Sequence, residues 1–231
     1  MKRNKKDCDL NSCFFCRGCL KDWLPAIEVH KKTRNVKKGE LIFKEGDPVQ
    51  GIFFINQGLV KVVKQWDADK ELILRFAKDG DIIGHRGLGN EPIYPVSGMA
   101  LQDSSICFIP LDFFLSSLHV NHGLTYELML FFARELQESE RKMRYLVHMP
   151  VKGRLAYALL LLQKKFGTTA DGFIDITISQ QDLASYIGTT YETVFRTFQE
   201  FTNQHLVEKN GKNFRITNTA SLERIMTEQE G

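Results

Sequence analysis

Cysteine is the residue type in this 231-residue sequence that is best suited to metal or redox chemistry. Four cysteines lie within twelve residues near the start of the chain, at the spacing C-x4-C-x2-C-x2-C, and a fifth lies far away. The five positions are Cys8, Cys13, Cys16, Cys19 and Cys107. Thiolates are soft ligands, so this grouping favours an iron–sulfur cluster or a zinc site. Spacing does not identify the metal, and thiols without a metal are a third interpretation.

The same cysteines allow an enzymatic interpretation. Residues 13–16 are Cys-Phe-Phe-Cys, a spacing used by thiol oxidoreductases. That chemistry needs a strand before the motif, a helix that begins at it and a thioredoxin-like unit around it. None of these patterns is visible in the sequence, so we do not expect an enzyme.

A second group of residues, between 177 and 217, indicates DNA binding. Ser179 is a suitable N-cap for a short helix, and Gly188 stands where that helix should end. Residues 189–192 form a capping-box pattern that predicts a second helix. The apolar faces of the two helices consist of Leu183, Ala184 and Ile187, and of Val194, Phe198 and Phe201. Two helices joined by a tight turn can place one of them in a DNA major groove.

Two predicted strands, residues 205–209 and 213–217, follow the second helix. Asn210-Gly211 lies between them, and Asn-Gly is a strong hairpin signal. The hairpin completes a winged helix-turn-helix, which predicts double-stranded DNA as the partner. A ligand-binding barrel that regulates a protein partner without DNA is a weaker alternative, because it leaves this wing unexplained.

Composition agrees with a globular protein. Hydrophobic residues make up 43% of the chain and charged residues 26%, and the formal net charge is +3. No apolar run is long enough to cross a membrane, and the first residues lack the apolar core of a secretion signal. We therefore expect a cytoplasmic location.

The middle of the chain predicts the elements that position these residues. Residues 23–35 predict a short amphipathic helix. Short apolar segments separated by glycines then indicate an antiparallel barrel or jelly roll, and so an α+β fold. The predicted strands are residues 40–43, 51–55, 59–63, 72–76, 81–83, 96–100 and 105–109.

A helical pattern follows Pro110. Apolar residues recur at alternating spacings of three and four, which is a heptad seam. The seam consists of Met129, Phe132, Leu136, Ser139, Met143 and Leu146. It favours a long dimerisation helix, with a helix packed on its own domain as the alternative, and Met149-Pro150 predicts its end. The predicted domains are a cysteine-bearing arm (1–22), a β-roll (23–117), the dimerisation helix (118–149) and the winged helix-turn-helix (150–231).

Six segments, in order, resemble the cyclic-AMP receptor protein / fumarate–nitrate regulator (CRP/FNR) superfamily of bacterial transcription regulators. They are KKGELIFKEGD, FFINQGLVKV, KDGDIIGHRGL, LQDSSICFIP, VKGRLAYALLLL and DLASYIGTTYETVFR. The resemblance covers nearly the whole chain. It implies an effector-sensing β-roll like those that bind cyclic nucleotides, a homodimer across the long helix, two recognition helices in successive major grooves and RNA polymerase as a partner.

In the recognition helix, Glu192 and Arg196 match the family's base-contacting pair. They lie one helical turn apart, and arginine can bond guanine while glutamate accepts from a cytosine amino group. The alternatives are a capping-box partner of Thr189 for Glu192 and a surface or phosphate-binding role for Arg196. Tyr191 stands where some members have a base-contacting arginine, and Phe195 where another branch has serine. Candidate phosphate contacts, with ordinary surface residues as the alternative, are Thr190, Thr193 and Arg215.

The effector pocket departs from the cyclic-nucleotide pattern. His85 stands at the position of the ribose-binding glutamate, and Pro95 and Val96 stand at those of the phosphate-binding Arg-Ser pair. A phosphate without its arginine would be a poorly compensated buried charge, so we do not expect cyclic AMP. The sequence leaves open that another small ligand binds in this pocket. Ligation of haem by His85 is a weaker alternative. The candidate pocket residues are Gly84, His85, Arg86, Ser97, Ser139 and Glu140.

The resemblance also sharpens the interpretation of the cysteines. Oxygen-sensing members hold a [4Fe–4S] cluster with three arm cysteines and one β-roll cysteine, and Cys107 aligns with the distant one. The arm departs from that pattern in its shorter last gap and its extra cysteine. An iron–sulfur cluster on Cys107 and three of the arm cysteines, a zinc site on the four arm cysteines, and thiols without a metal therefore all stay open. Buried Cys107 alone would be an ordinary small core residue.

Overall fold

The computed structural model describes residues 10–67 and 70–227, so Cys8 lies outside the described residues. The chain divides into two compact units, residues 1–135 and 136–231. No helix among the described residues is long and apolar enough to span a membrane.

The described residues of the first unit form eight strands. Their bounds are β1 Lys32–Val36, β2 Leu41–Phe43, β3 Gly51–Gln57, β4 Val60–Gln65, β5 Glu71–Ala77, β6 Ile82–Ile83, β7 Ser97–Ala100 and β8 Ser104–Pro110. They form two four-stranded antiparallel sheets, in the orders β1-β8-β3-β6 and β2-β7-β4-β5. The predicted antiparallel β-roll is thereby confirmed.

Strand alternation divides the apolar side chains of the first sheet between two cores. On β3 and β8, Phe53, Ile55 and Ile106 join the core that also takes residues from the second sheet. The intervening residues of the same strands, including Phe54, Cys107 and Ile109, belong to a separate core on the other side of the sheet. This outer core is completed by helices rather than by strands.

The helices of the outer core come from both ends of the unit. Their bounds are α1 Phe14–Gly18, α2 Leu24–His30, α3 Leu111–Val120 and α4 His122–His148, with α4 continuing beyond residue 135. The helix predicted over residues 23–35 is wrong in its second half, because α2 ends at His30 and β1 begins at Lys32. Strand β1 was missed because only Val36 of its five residues is buried, so its sequence lacks apolar alternation.

The second unit contains the predicted winged helix-turn-helix. Its elements are α5 Val151–Phe166, α6 Gln180–Ile187, α7 Tyr191–Asn203, β9 Val207–Asn210, β10 Asn213–Ile216 and α8 Thr219–Thr227. The wing strands pair antiparallel with Asn210 opposite Asn213, so the turn residues are Gly211 and Lys212, one position later than predicted. The capping box predicted at residues 189–192 is wrong, because Thr190 and not Thr189 is the N-cap of α7, and its side chain accepts from the Thr193 amide.

Candidate sensor cluster and nucleic-acid interface

The arm brings three of its cysteines to the β-roll. Cys13 is the N-cap residue of α1, Cys16 lies within that helix and Cys19 directly follows it. Cys13, Cys16 and Cys107 are 5%, 7% and 2% exposed and belong to the same outer core, and Cys19 packs against it. Cysteines that are 88 or more positions apart in sequence thus lie in, or pack against, one apolar core.

Main-chain contacts hold the arm in place. The Phe14 amide donates to the Gly80 carbonyl at 3.0 Å. Gly80 has a φ of +83°, and a Cβ atom there would lie 2.4 Å from the carbonyl oxygen of Ser12, so only glycine allows this approach. The Leu20 amide donates to Asn121 Oδ1 at 2.7 Å. Asn121 is itself buried, at the junction of α3 and α4.

The chemistry of these four thiols fits a thiolate-ligated metal group. Burial, with a further contribution from Cys13, raises the pKa of the Cys19 thiol to about 12. A thiol in such surroundings stays protonated unless a cation compensates the thiolate charge, and a bound metal supplies that compensation. Among residues 10–67 and 70–227, no three His, Cys, Asp or Glu side chains are already grouped around a metal-sized centre.

The candidate effector pocket contains a charged cluster that the sequence did not reveal. Glu135 of α4 accepts from Arg75 of β5 at 3.1 Å and from Arg86 at 2.9 Å. Residues 85–87 form a short 3-10 turn after Gly84, and His85 in this turn is 2% exposed. Its Nε2 lies 3.8 Å from the Glu135 carboxylate, and neither ring nitrogen has a hydrogen-bond partner within the described part of the chain.

The contacts in this cluster shift the pKa values of Glu135 and His85. Burial alone would raise the pKa of Glu135, but the neighbouring His85 and the charges of Arg75 and Arg86 outweigh burial and hold it well below its usual range. Burial lowers the pKa of His85, and the Glu135 carboxylate opposes this only partly. We therefore assign a charged Glu135 between two guanidinium groups.

The remaining predicted pocket residues are not part of this cluster. Ser97 is buried on β7, and its hydroxyl accepts from the Glu45 amide at 2.9 Å. Ser139 and Glu140 are exposed on α4. Val96, at one of the positions that the family uses for phosphate, is buried in the core between the two sheets.

The helix-turn-helix is fixed by local hydrogen bonds. Ser179 caps α6 in a reciprocal capping box with Asp182, as its sequence position predicted. Gly188 ends α6 with a φ of +68°, a left-handed conformation that glycine adopts without strain. Helix α7 then begins at Tyr191 behind the Thr190 cap, and its buried face consists of Val194, Thr197, Phe198 and Phe201.

The opposite face of α7 is open to solvent. Glu192 and Arg196 are both exposed on it, as a base-contacting pair requires. Tyr191 and Phe195 are 41% and 40% exposed on the same helix, and their rings stack with centroids 6.1 Å apart. Phe195 was not among the predicted site residues, although its position away from the buried residues could have indicated its exposure.

The residues predicted to contact phosphate are held by different partners within the second unit. Thr190 caps α7 and its hydroxyl is 3.0 Å from that of Thr193. Arg215 is held within the second unit by Glu208, by the carbonyl of Asp171 at 3.1 Å and by the ring of Phe173. Any contact between Arg215 and a phosphate would have to compete with this carboxylate.

A β-roll joined in sequence to a winged helix-turn-helix defines a class of DNA-binding proteins, and comparison with known proteins supports that class. Residues 33–121 match the family model of the cyclic nucleotide-binding domain, and residues 153–225 match that of the Crp-like helix-turn-helix domain. The transcriptional activator protein anr of Pseudomonas aeruginosa is 30% identical over 221 residues, which cover 94% of this chain and 90% of that protein. The anaerobic regulatory protein of Bacillus subtilis is 30% identical over 178 residues, covering 76% and 75%.

Among solved structures, FixK2 from Bradyrhizobium japonicum shares the fold with a TM-score of 0.76 at 22% identity, covering 84% of this chain and 96% of that chain. The chain belongs to the CRP/FNR superfamily of transcription regulators. It is a DNA-binding transcription regulator and not an enzyme.

Proposed function

We propose that this protein is a homodimeric, cytoplasmic regulator whose DNA binding responds to oxygen or redox state through an iron–sulfur cluster on Cys13, Cys16, Cys19 and Cys107. The observation that carries the proposal is that Cys107 lies in the same buried core as the arm cysteines. A zinc site on the four arm cysteines would leave Cys107 without a role. The names of the relatives, a transcriptional activator and an anaerobic regulatory protein, support an activator of transcription that is linked to oxygen.

When bound, such a cluster supplies an oxygen-labile, redox-active group. The protein's own contribution is to bury the thiols of Cys13, Cys16 and Cys107 and to connect the arm with α4. Gly18 of the arm packs directly on Leu124, and the ring of Phe14 meets Phe131 edge-on at 5.4 Å. A change in how the arm is held must therefore change the packing of the first turns of α4.

Helix α4 also carries the surface that we assign to the dimer. Met129, Leu136 and Met143 of the heptad seam are 56%, 61% and 61% exposed. Large apolar side chains at heptad spacing are stabilised when a second helix covers them. The seam thus links the state of the arm to the pairing of two chains, and pairing sets the separation of the two α7 helices on successive half-sites, about 34 Å apart.

Within the β-roll, Glu135 ties α4 to β5 and to the turn at residues 85–87. With Val96 buried in the core at a position that a cyclic phosphate would need, the pocket offers no Arg-Ser pair. This supports a sensor that works without cyclic AMP.

Metal analysis tests the proposed sensor. Anaerobically purified protein should contain iron and sulfide and absorb visible light. Cys107→Ser, and Cys107→Ala as a check on packing, should reduce all three signals to background, because one of the four ligands is lost. Cys8→Ser is the matched control and should keep them. Zinc in place of iron, or an unchanged iron content in Cys107→Ser, would contradict the proposal.

Substitutions in and beside the heptad seam of α4 test the proposed dimer. Leu136→Glu places a charge in the apolar seam and should give a monomer in sedimentation velocity. Gln137→Glu adds the same charge to the exposed neighbouring position and should sediment like the unmodified protein. If both variants remain dimers, α4 is not the pairing surface.

A further inference from the structure

We propose that Tyr191 and Phe195 form an apolar surface that recognises thymine methyl groups in the major groove. The proposal rests on the DNA-contacting role of α7 and names the bases that this helix selects. Its starting point is that two large aromatic side chains, each about two-fifths exposed, occupy a helix whose buried face is already filled by Val194, Phe198 and Phe201. The core behind α7 therefore does not require aromatic residues at these two positions, which stack on each other and keep two-fifths of each side chain exposed.

The position of the pair matches the part of a recognition helix that meets base edges. Helix α7 begins at Tyr191, and the first residues of such a helix make the base contacts. Tyr191 and Phe195 lie one turn apart, a rise of about 6 Å, which spans about two base steps of 3.4 Å. The stacked pair can therefore cover two neighbouring bases.

The chemistry of the pair selects one feature of the groove. The Phe195 side chain has no hydrogen-bonding group, so it gains nothing from the donors and acceptors of guanine, cytosine or adenine. The C5-methyl group of thymine is the apolar feature that the major groove presents. Glu192 and Arg196 lie beside the aromatic pair on the exposed side of α7 and supply the polar contacts. This face thus combines one charged pair for hydrogen bonds with one aromatic pair for methyl groups.

Replacement of thymine by deoxyuridine tests the proposal, because it removes only the methyl group. The full-length protein, purified anaerobically, first selects its site from duplexes with randomised half-sites. Each thymine of the selected duplex is then replaced by deoxyuridine, and affinity is measured by fluorescence anisotropy. At one or two adjacent positions of each half-site we expect about a three- to tenfold loss of affinity, the effect of one buried methyl group.

Variants identify which side chain is responsible. Phe195→Ser should bind the thymine and deoxyuridine duplexes equally, and Phe195→Leu should keep part of the preference. Trp66→Ala removes an 85% exposed aromatic residue from the β-roll and should discriminate as the unmodified protein does. Thermal unfolding of each variant verifies that it is folded.

Equal affinity of the unmodified protein for both duplexes would overturn the proposal, as would an undiminished preference in Phe195→Ser. If deoxyuridine has no effect and Phe195→Ser instead changes the oligomeric state, the aromatic pair is a protein contact. Failure of the underlying function looks different: no sequence is selected, or Arg196→Ala leaves specificity intact.

Discussion

The outer core and the exposed face of α7 differ in how far their characteristic side chains are exposed to solvent. In the first, Cys13, Cys16 and Cys107, which can carry chemistry, are almost completely buried. In the second, Tyr191 and Phe195, which burial would stabilise, are left in contact with solvent. A single buried cysteine is ordinary, but here cysteines from two distant segments share one core, and adjacent exposed aromatic residues can mark a contact surface. The contrast shows that a reactive group is protected by the interior, whereas a surface that selects a partner has to remain uncovered.

The largest expected effect comes from a comparison of two phenylalanine substitutions, one in each region. Phe15 is 1% exposed and stacks on Phe54 at 5.1 Å, so Phe15→Ala should lower the free energy of unfolding by about 3–5 kcal/mol. Phe195→Ala should cost much less, about 1 kcal/mol, because two-fifths of that side chain is exposed and its ring contact is with the partly exposed Tyr191. Urea-induced unfolding measures both, and comparable losses would show that Phe195 is a packing residue after all.

A smaller effect is expected from the charged cluster of the first unit. Glu135→Gln removes the carboxylate that Arg75 and Arg86 share, while Arg75 keeps its contact with Asp81, and should cost about 2–4 kcal/mol. Because the pKa of Glu135 is lowered in the folded protein, its contribution is complete above its ordinary value of 4.5 and is lost as the pH falls below it. Stability should therefore fall less steeply with acid in Glu135→Gln than in the unmodified protein.

The control for this prediction is Glu138→Gln, which removes an exposed carboxylate paired with Arg141 one turn along the same helix. It should change stability by less than about 1 kcal/mol. Equal effects of the two substitutions would mean that the cluster around Glu135 is no more stabilising than a surface ion pair.

The smallest expected change in stability, and a clear change in binding, belongs to Arg196. Arg196→Ala should weaken specific DNA binding by about 1–3 kcal/mol and relax selectivity at one base pair, with the unfolding curve unchanged. Arg224→Ala removes an exposed arginine from α8 and should leave specificity as it was. Binding to specific and random duplexes, measured at one salt concentration, separates base contact from charge alone.

Sequence patterns were sufficient where local rules dominate. Glycine turns and apolar alternation predicted β3, β4 and β5, and the cap at Ser179 with the left-handed Gly188 predicted the helix-turn-helix. They failed where a strand carries polar residues on both faces, as in β1. The meeting of Cys107 with the arm followed from the family resemblance, because no local pattern connects residues so far apart.

The charged cluster could not be predicted from the sequence for the same reason. Glu135 is 60 residues from Arg75 and 49 from Arg86. Before folding, it is one of several charged residues beside a heptad seam, and nothing in its neighbourhood distinguishes it from Glu138. Only the packing of α4 against the β-roll makes it a buried partner for two arginines.

Besides its buried side chains, the cysteine arm is held by two backbone amides, that of Phe14 on the Gly80 carbonyl and that of Leu20 on Asn121 Oδ1. Such anchors do not depend on which side chains the arm carries. Cysteines can be gained, lost or respaced along the arm while these two hydrogen bonds are kept. The set of metal-binding cysteines can therefore change without a change in the β-roll. Gly80 is the exception: one added methyl group there would clash with the Ser12 carbonyl and displace the start of the arm, with every cysteine still present in the sequence.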